Sequence, residues 1–388
     1  MIYLRWKTFA VLCLFMGIVW ACSSSKEGGD PDPKPDPDPT NPVGTDRKAM
    51  LTHLADHIIL PSYANFKTKF DLMLTKSDAF AAKPDPTTLT EFRQAWADAY
   101  VEWQKVELFD VGPAESRTLR YFFNIYPANA AGIEENIVAP SVVLDLPSAY
   151  PKQGFPAIDY LINGLAATDD AILQRYTTVA DAAKRIAYLK LITNQMKTVL
   201  TAVITDWTTG GYRDKFVNST GIDVGGSTSK LVNGYVLHYE RYIRSGKFGI
   251  PSGAMANGVP APDKVEAFYK KDLALTLAKT AHQAVVDFFN GKDVKTGQEG
   301  PGFKSYLNAL GAKDSQTGKS LAEVINAQFD ASAAKLNALK PNLSDEVKTN
   351  NAAVTAVYTE MQRAVRMLKV DMTSAMSITI TYVDTDGD

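Results

Sequence analysis

Apolar residues recur along this chain at alternating steps of three and four, the spacing that lines one face of an α-helix. Leu89, Phe92, Trp96, Ala99, Trp103 and Val106 form the clearest stripe. Asp85, Pro86, Thr87 and Thr88 stand before it as start signals, and "VGP" at 111–113 is the expected stop. An earlier stripe carries Leu51, Leu54 and Ile58, then Tyr63, Phe66, Phe70 and Met73. Its phase slips at Pro61, which predicts a kink or break there. Further stripes follow at Ile186, Leu189, Met196, Leu200, Val203 and Trp207, and at Leu231, Tyr235, His238 and Tyr242. Helices are also expected over 265–289, 321–339 and 347–368. Strand signals are scarce. Ile378, Ile380 and Tyr382 alternate on one face, so the end of the chain is expected to be extended and docked.

Long amphipathic helices joined by polar connections predict an all-α fold of two helical-bundle domains with a short extended C-terminal tail. The boundary is expected in "LINGLAATDDA" (161–171), giving an N-terminal helical domain at 47–165 and a C-terminal bundle at 166–388.

The first 46 residues break the helical pattern. Residues 1–21 have two cations, Arg5 and Lys7, an apolar run, and Ala21 before Cys22, the layout of a signal peptide. "VWAC" reads as a bacterial lipobox, with Cys22 as the lipidated first residue of the mature chain. An uncleaved membrane anchor is the other reading, but the apolar run is short of the ~20 residues that a spanning helix needs. Residues 22–46 alternate Asp and Pro and form a tether. At ~3.1 Å per residue in polyproline form it reaches up to about 70 Å. A flexible low-complexity linker would serve the same end.

Cleavage would also remove Cys13, leaving only the lipidated cysteine. Internal disulfides, cysteine metal sites and cysteine nucleophiles are then excluded. The net charge is −2, and loss of the leader takes it to about −4, so a nucleic-acid partner is not expected.

Candidate chemistry is sparse. His53 and His57 lie at i and i+4, a spacing at which two imidazoles can share a metal ion, yet the glutamate of the H-E-x-x-H pattern is absent. Two unrelated histidines are the plainer account. His238, on an apolar stripe among tyrosines, is a packing histidine or part of a pocket. "GIDVGGSTSK" (221–230) could hold an anion at a helix start, or be a loop with a capping hydroxyl. The terminal "DTDGD" lacks the calcium-loop spacing. Glu107 stands at the apolar edge of its helix near the negative end, as a site residue or as the partner of an arginine such as Arg120.

Several stretches resemble the imelysin family of bacterial surface and periplasmic proteins. They are "ILPSYANF" (59–66), "WADAYVEWQKVELFDVGP" (96–113), "FFNIYPANAAGIEENI" (122–137), "GFPAIDYLING" (154–164), "GGSTSKLVNGYV" (225–236), "GKFGIPSG" (246–253), "PDKVEAFY" (262–269) and "ITYVDTDGD" (380–388). The resemblance implies two all-helical domains with a site in the cleft between them, a link to iron uptake, and a metallopeptidase label that rests on a G-x-H-x-x-E motif. Gly154, Pro156 and Asp159 stand at the glycine, histidine and glutamate of that motif. Proline cannot bind a metal, so the peptidase reading is weakened and no catalytic residue is assigned. By resemblance the ligand site comprises Gly154, Pro156, Asp159, Glu107, Arg120, His238 and Asn233. Asp159, Glu107 and His238 are the candidates for holding any metal. Iron, haem or a divalent metal are the candidate cofactors.

These readings give a lipid-anchored, non-enzymatic binding protein of the cell envelope, an outer-membrane lipoprotein on the periplasmic or outer face, linked to iron or haem acquisition. The alternative is a metal-dependent peptidase with a non-standard ligand set. The expected partners are the membrane, through the lipid on Cys22, and an outer-membrane iron or haem transporter.

Overall fold

The computed structural model describes residues 42–383. The leader, Cys22, most of the tether and the last five residues lie outside them. Among the described residues the chain is helical and has no strand, only two isolated bridges, Lys292 with Glu299 and Lys313 with Ser320.

The first helix does not break at Pro61. Pro42–His53 runs through a π-helical stretch, Leu54–Ile59, into Leu60–Ala82 with right-handed helical backbone at each junction. A proline at 61 cannot donate to the carbonyl of His57 four residues back. The wider turn absorbs this: the Leu60 amide reaches Ala55 instead, and the freed His57 carbonyl accepts the Val294 amide at 3.0 Å. The phase slip is therefore one π-turn inserted before the proline.

Pro86–Trp103 begins as expected, with a capping box in which the Asp85 carboxylate accepts the Thr88 amide and the Thr88 hydroxyl accepts the Asp85 amide. It buries Leu89, Phe92, Trp96, Ala99 and Trp103. It stops at Trp103, earlier than "VGP". The chain then tightens into turns, with Val106 donating to Trp103 and Phe109 to Val106. Val106 and Phe109 remain buried, so the apolar spacing continues while the helix does not.

Two later expectations also shift. Residues 265–273 are turns, with helix only over Ala274–Phe289; Ala267 and Lys271 have φ of +50° and +59°, which no helix allows. Residues 347–368 split into Leu343–Thr349 and Asn351–Arg366, then a π-stretch at Met367–Met372. Ala182–Trp207 and Leu321–Asn337 follow their stripes.

One hydrophobic cluster runs through residues on both sides of 165. Ala182–Trp207 packs against Leu60–Ala82, Leu119–Phe123 and Gly154–Asp159. Phe80 meets Tyr176 edge-on at 4.8 Å, and the Tyr176 hydroxyl donates to the Leu161 carbonyl. At the centre Trp103 stacks on Phe123 at 4.7 Å and Tyr100 on Phe155 at 4.5 Å. The tail beyond Ser377 is docked without forming a strand. Asn233 clamps it, donating to the Thr379 carbonyl and accepting the Thr381 amide.

Candidate functional site

Where the Pro86–Trp103 helix unwinds, its polar residues turn inward. Gln104 and Glu107 are 0% and 3% exposed. They meet Arg120 and Asn124 from the Leu119–Phe123 segment and its cap, Lys247 from a π-helical stretch at His238–Gly249, and Glu266 from the turns after it. Asn124 is the hub: its amide donates to Glu107 at 3.0 Å and to Glu266 at 2.8 Å, and its oxygen accepts the Tyr100 hydroxyl at 2.6 Å. Lys247 donates to Gln104 at 2.8 Å and pairs closely with Glu266. Arg120 pairs with Glu107 at 3.1 Å, and its guanidinium lies 3.1 Å over the Tyr242 ring. Two buried cations thus face two buried carboxylates, and each charge is compensated.

His238 sits beside this network, 1% exposed, and neither ring nitrogen has a hydrogen-bond partner among the described residues. Burial, with Arg120 and Lys247 nearby, holds its pKa well below the ordinary value, so it is a neutral imidazole. Asp110 is pushed up to about 6 by burial, against the pull of Arg120 and with Glu115 and Glu107 raising it further.

The motif residues lie elsewhere in the core. Gly154 opens the short helix Gly154–Asp159 with φ +77°, and a Cβ there would come within 2.4 Å of the Phe123 carbonyl oxygen. Only glycine fits. Pro156 is buried in the first turn of that helix, where a missing amide costs nothing. Asp159 closes this helix and is buried; it does not project from the positive first turn. Its oxygens accept the Asn163 side-chain amide and the Tyr269 backbone amide, both at 2.9 Å. Burial raises its pKa to about 7. It anchors the turn that carries Glu266.

A metal ion does not fit these residues. Pro156 has no donor atom, Asp159 is committed to two amides, Glu107 to Arg120 and Asn124, and two cations flank His238. Among the described residues no three His, Cys, Asp or Glu side chains are grouped to hold an ion. Asp159, Glu107 and His238 are therefore not brought together as a ligand set. Glu107 and Arg120 form the ion pair that was the alternative reading, Glu107 lies beyond its helix, and Asn233 serves the tail.

His53 and His57 stack at 4.7 Å and both grip one loop. His53 bonds the Gly291 carbonyl at 2.8 Å, and His57 the Asp293 carboxylate at 2.6 Å. Gln104, Asn124, Lys247 and Glu266 went unseen in the sequence, although Gln104 and Asn124 each directly follow a buried aromatic, Trp103 or Phe123.

A groove of about 610 Å³ has Ile58, Phe109 and Phe288 on its floor and a mixed edge, where Lys105 pairs with Glu102, Lys292 with Asp287, and Lys279 has no ion-pair partner among the described residues.

Comparison with known proteins gives this arrangement a family. Over 120 residues the chain is 25% identical to Iron-regulated protein A of Synechococcus elongatus; the match takes in 31% of this chain and 32% of that protein, so it spans about a third of the relative's length. An imelysin-like protein of Psychrobacter arcticum 273-4 superposes with a TM-score of 0.65 at 15% identity, covering 87% of this chain and 98% of its own. A structure described as an iron-regulated protein A precursor from Parabacteroides distasonis gives 0.62 at 16%, covering 84% and 95%. At these identities the two structures speak for the fold. The family model for imelysin, the M75 peptidase family, matches residues 59–372, most of the sequence, and the chain belongs to the imelysin family.

Proposed function

We propose that this protein is a non-enzymatic binding component of the cell envelope, held to the outer membrane by lipid on Cys22 and linked to iron or haem acquisition. The observation that carries the reading is the state of the motif. Pro156 replaces the imidazole, and both Asp159 oxygens are spent on Asn163 and Tyr269. The scaffold is kept while the metal-binding pair is gone. The iron link rests on the names of the relatives, two of which are iron-regulated proteins. The ligand site is the groove floored by Ile58, Phe109 and Phe288. With Lys105 paired to Glu102 and Lys292 to Asp287, Lys279 is the cation left among the described residues beside the apolar floor, which suits a flat or amphipathic ligand carrying an acidic group, as haem or an organic iron chelate would.

The test is titration of the full-length protein with haem, ferric citrate and ferrous iron, followed by absorbance and calorimetry, beside a peptide-cleavage assay with and without a chelator. One-to-one binding of haem or the chelate, weakened tenfold or more in Lys279→Glu and without peptide hydrolysis, supports the reading. Chelator-sensitive cleavage would overturn it in favour of the peptidase.

A further inference from the structure

A second pocket, of about 500 Å³, lies apart from the groove and the network. Its floor is Phe216 and Tyr212. Tyr212 stands so close to Gly112 that a Cβ there would fall 2.0 Å from its ring. Its wall is the start of the eleven-residue helix Ser227–Leu237, whose N-cap is Gly226 and has no side-chain cap. Of the first three amides, which no helix can satisfy internally, Ser227 donates to the Ser219 carbonyl. Those of Thr228 and Ser229 remain at the positive end of the helix dipole.

Three features set this helix start apart from an ordinary uncapped one. Ser227 is 6% exposed and lines the pocket, and its hydroxyl has no hydrogen-bond partner among the described residues. The Thr228 hydroxyl, directly behind, is buried and also has no partner among them. Lys215 and Lys230 both line the pocket, and neither forms an ion pair with another described residue. Of the two acids at the rim, Asp206 is neutralised by Arg117 at 2.7 Å, which leaves Glu115 against two lysines and the helix end.

We infer that this pocket binds the phosphate group of a small soluble molecule, held by Ser227, Lys215 and Lys230 at the start of the Ser227–Leu237 helix. Helix start, hydroxyl and lysines together supply the donors that an oxyanion needs. The pocket has room beyond the anion, and Tyr212 and Phe216 offer a face for an attached ring or chain. This site owes nothing to the iron reading and stands or falls separately.

The experiment is calorimetric titration of the full-length protein with inorganic phosphate and with a sugar phosphate, at low and high salt. Binding of either, weakened at least tenfold in Lys215→Met with Lys230→Met and also in Ser227→Ala, and weakened by salt, is the expected result. Tighter binding of the sugar phosphate assigns an ester as the source, and equal binding assigns free phosphate. Lys295→Met, at a different surface, should bind as the wild type does, and melting temperatures without phosphate should not move. No binding at millimolar phosphate, or equal binding by the double-lysine variant, would overturn the site.

Discussion

Asp159 shows how one residue can keep a position and change its work. With its pKa raised from 3.8 to about 7 by burial, it holds its proton in the folded chain over a range where the unfolded chain has released it. Below about pH 4 both states are protonated and nothing is lost. Between that point and about 7 the folded state binds more protons, so stability falls as pH rises. Asp159→Asn keeps an oxygen for the Tyr269 amide, and Asn163 can turn its own amide to match. Relative to wild type, it should therefore stabilise the protein more at pH 8 than at pH 5. Only the roughly two pH units between 5 and about 7 contribute to that comparison, so the difference is about 3 kcal/mol, at about 1.4 kcal/mol for each tenfold change in proton affinity. Urea unfolding at the two pH values measures it. A difference that does not change with pH would mean that Asp159 is ionised in the folded chain.

At the scale of elements, the buried network decides where helices end. Lys247→Met should leave Glu266 charged, buried and without its cation, at a cost of about 3–5 kcal/mol, whereas Lys247→Met with Glu266→Gln should recover most of it. Chemical denaturation of the three proteins checks this, and additive losses would mean that the pair is not coupled. The same network marks the limit of what the sequence made legible. Pro86–Trp103 could be read because its cap and its stripe are both local, within residues 85–103. Its stop, and the turns at 265–273, could not. Val265, Phe268 and Tyr269 keep helical company, but Glu266 bonds Asn124, and Tyr269 bonds Asp159, across separations of 142 and 110 residues. Periodicity carries no trace of such partners. Pro61 does mark the phase slip, but as a widening and not a break: a helix can widen by one residue before a proline, and the free His57 carbonyl then finds Val294. The altered motif was visible in "GFPAID", and what Asp159 does instead was not.

For the whole molecule, the proposed anchor is a single cysteine. Cys22→Ala should move the protein from the membrane fraction to the soluble one, since among the described residues no helix is long and apolar enough to cross a membrane. Several acyl chains hold where one would not. Fractionation after a high-salt wash reads the outcome, and a variant that still pellets would remove lipidation from the proposal.

The seam at Gln104, Asn124, Lys247 and Glu266 also has a consequence in time. A chain emerging from a ribosome or a translocon makes Gln104, Glu107 and Asn124 long before it makes the lysine and glutamate that bury with them. Until residue 266 is out, Glu107 and Asn124 have only each other, Arg120 and Tyr100, and Gln104 lacks both Lys247 and Glu266, so the early segments would close over an incomplete polar cluster. Loop-closure cost then puts the decisive contacts late. A fragment ending at residue 165 should be largely unfolded by circular dichroism and readily cleaved by protease. A compact, cooperatively melting fragment would show that the first half folds without waiting. For a protein that we propose crosses a membrane before it works, such a delay is useful. The chain stays threadable while its first half is being passed through, and it locks only once more than two-thirds of its length has arrived on the other side.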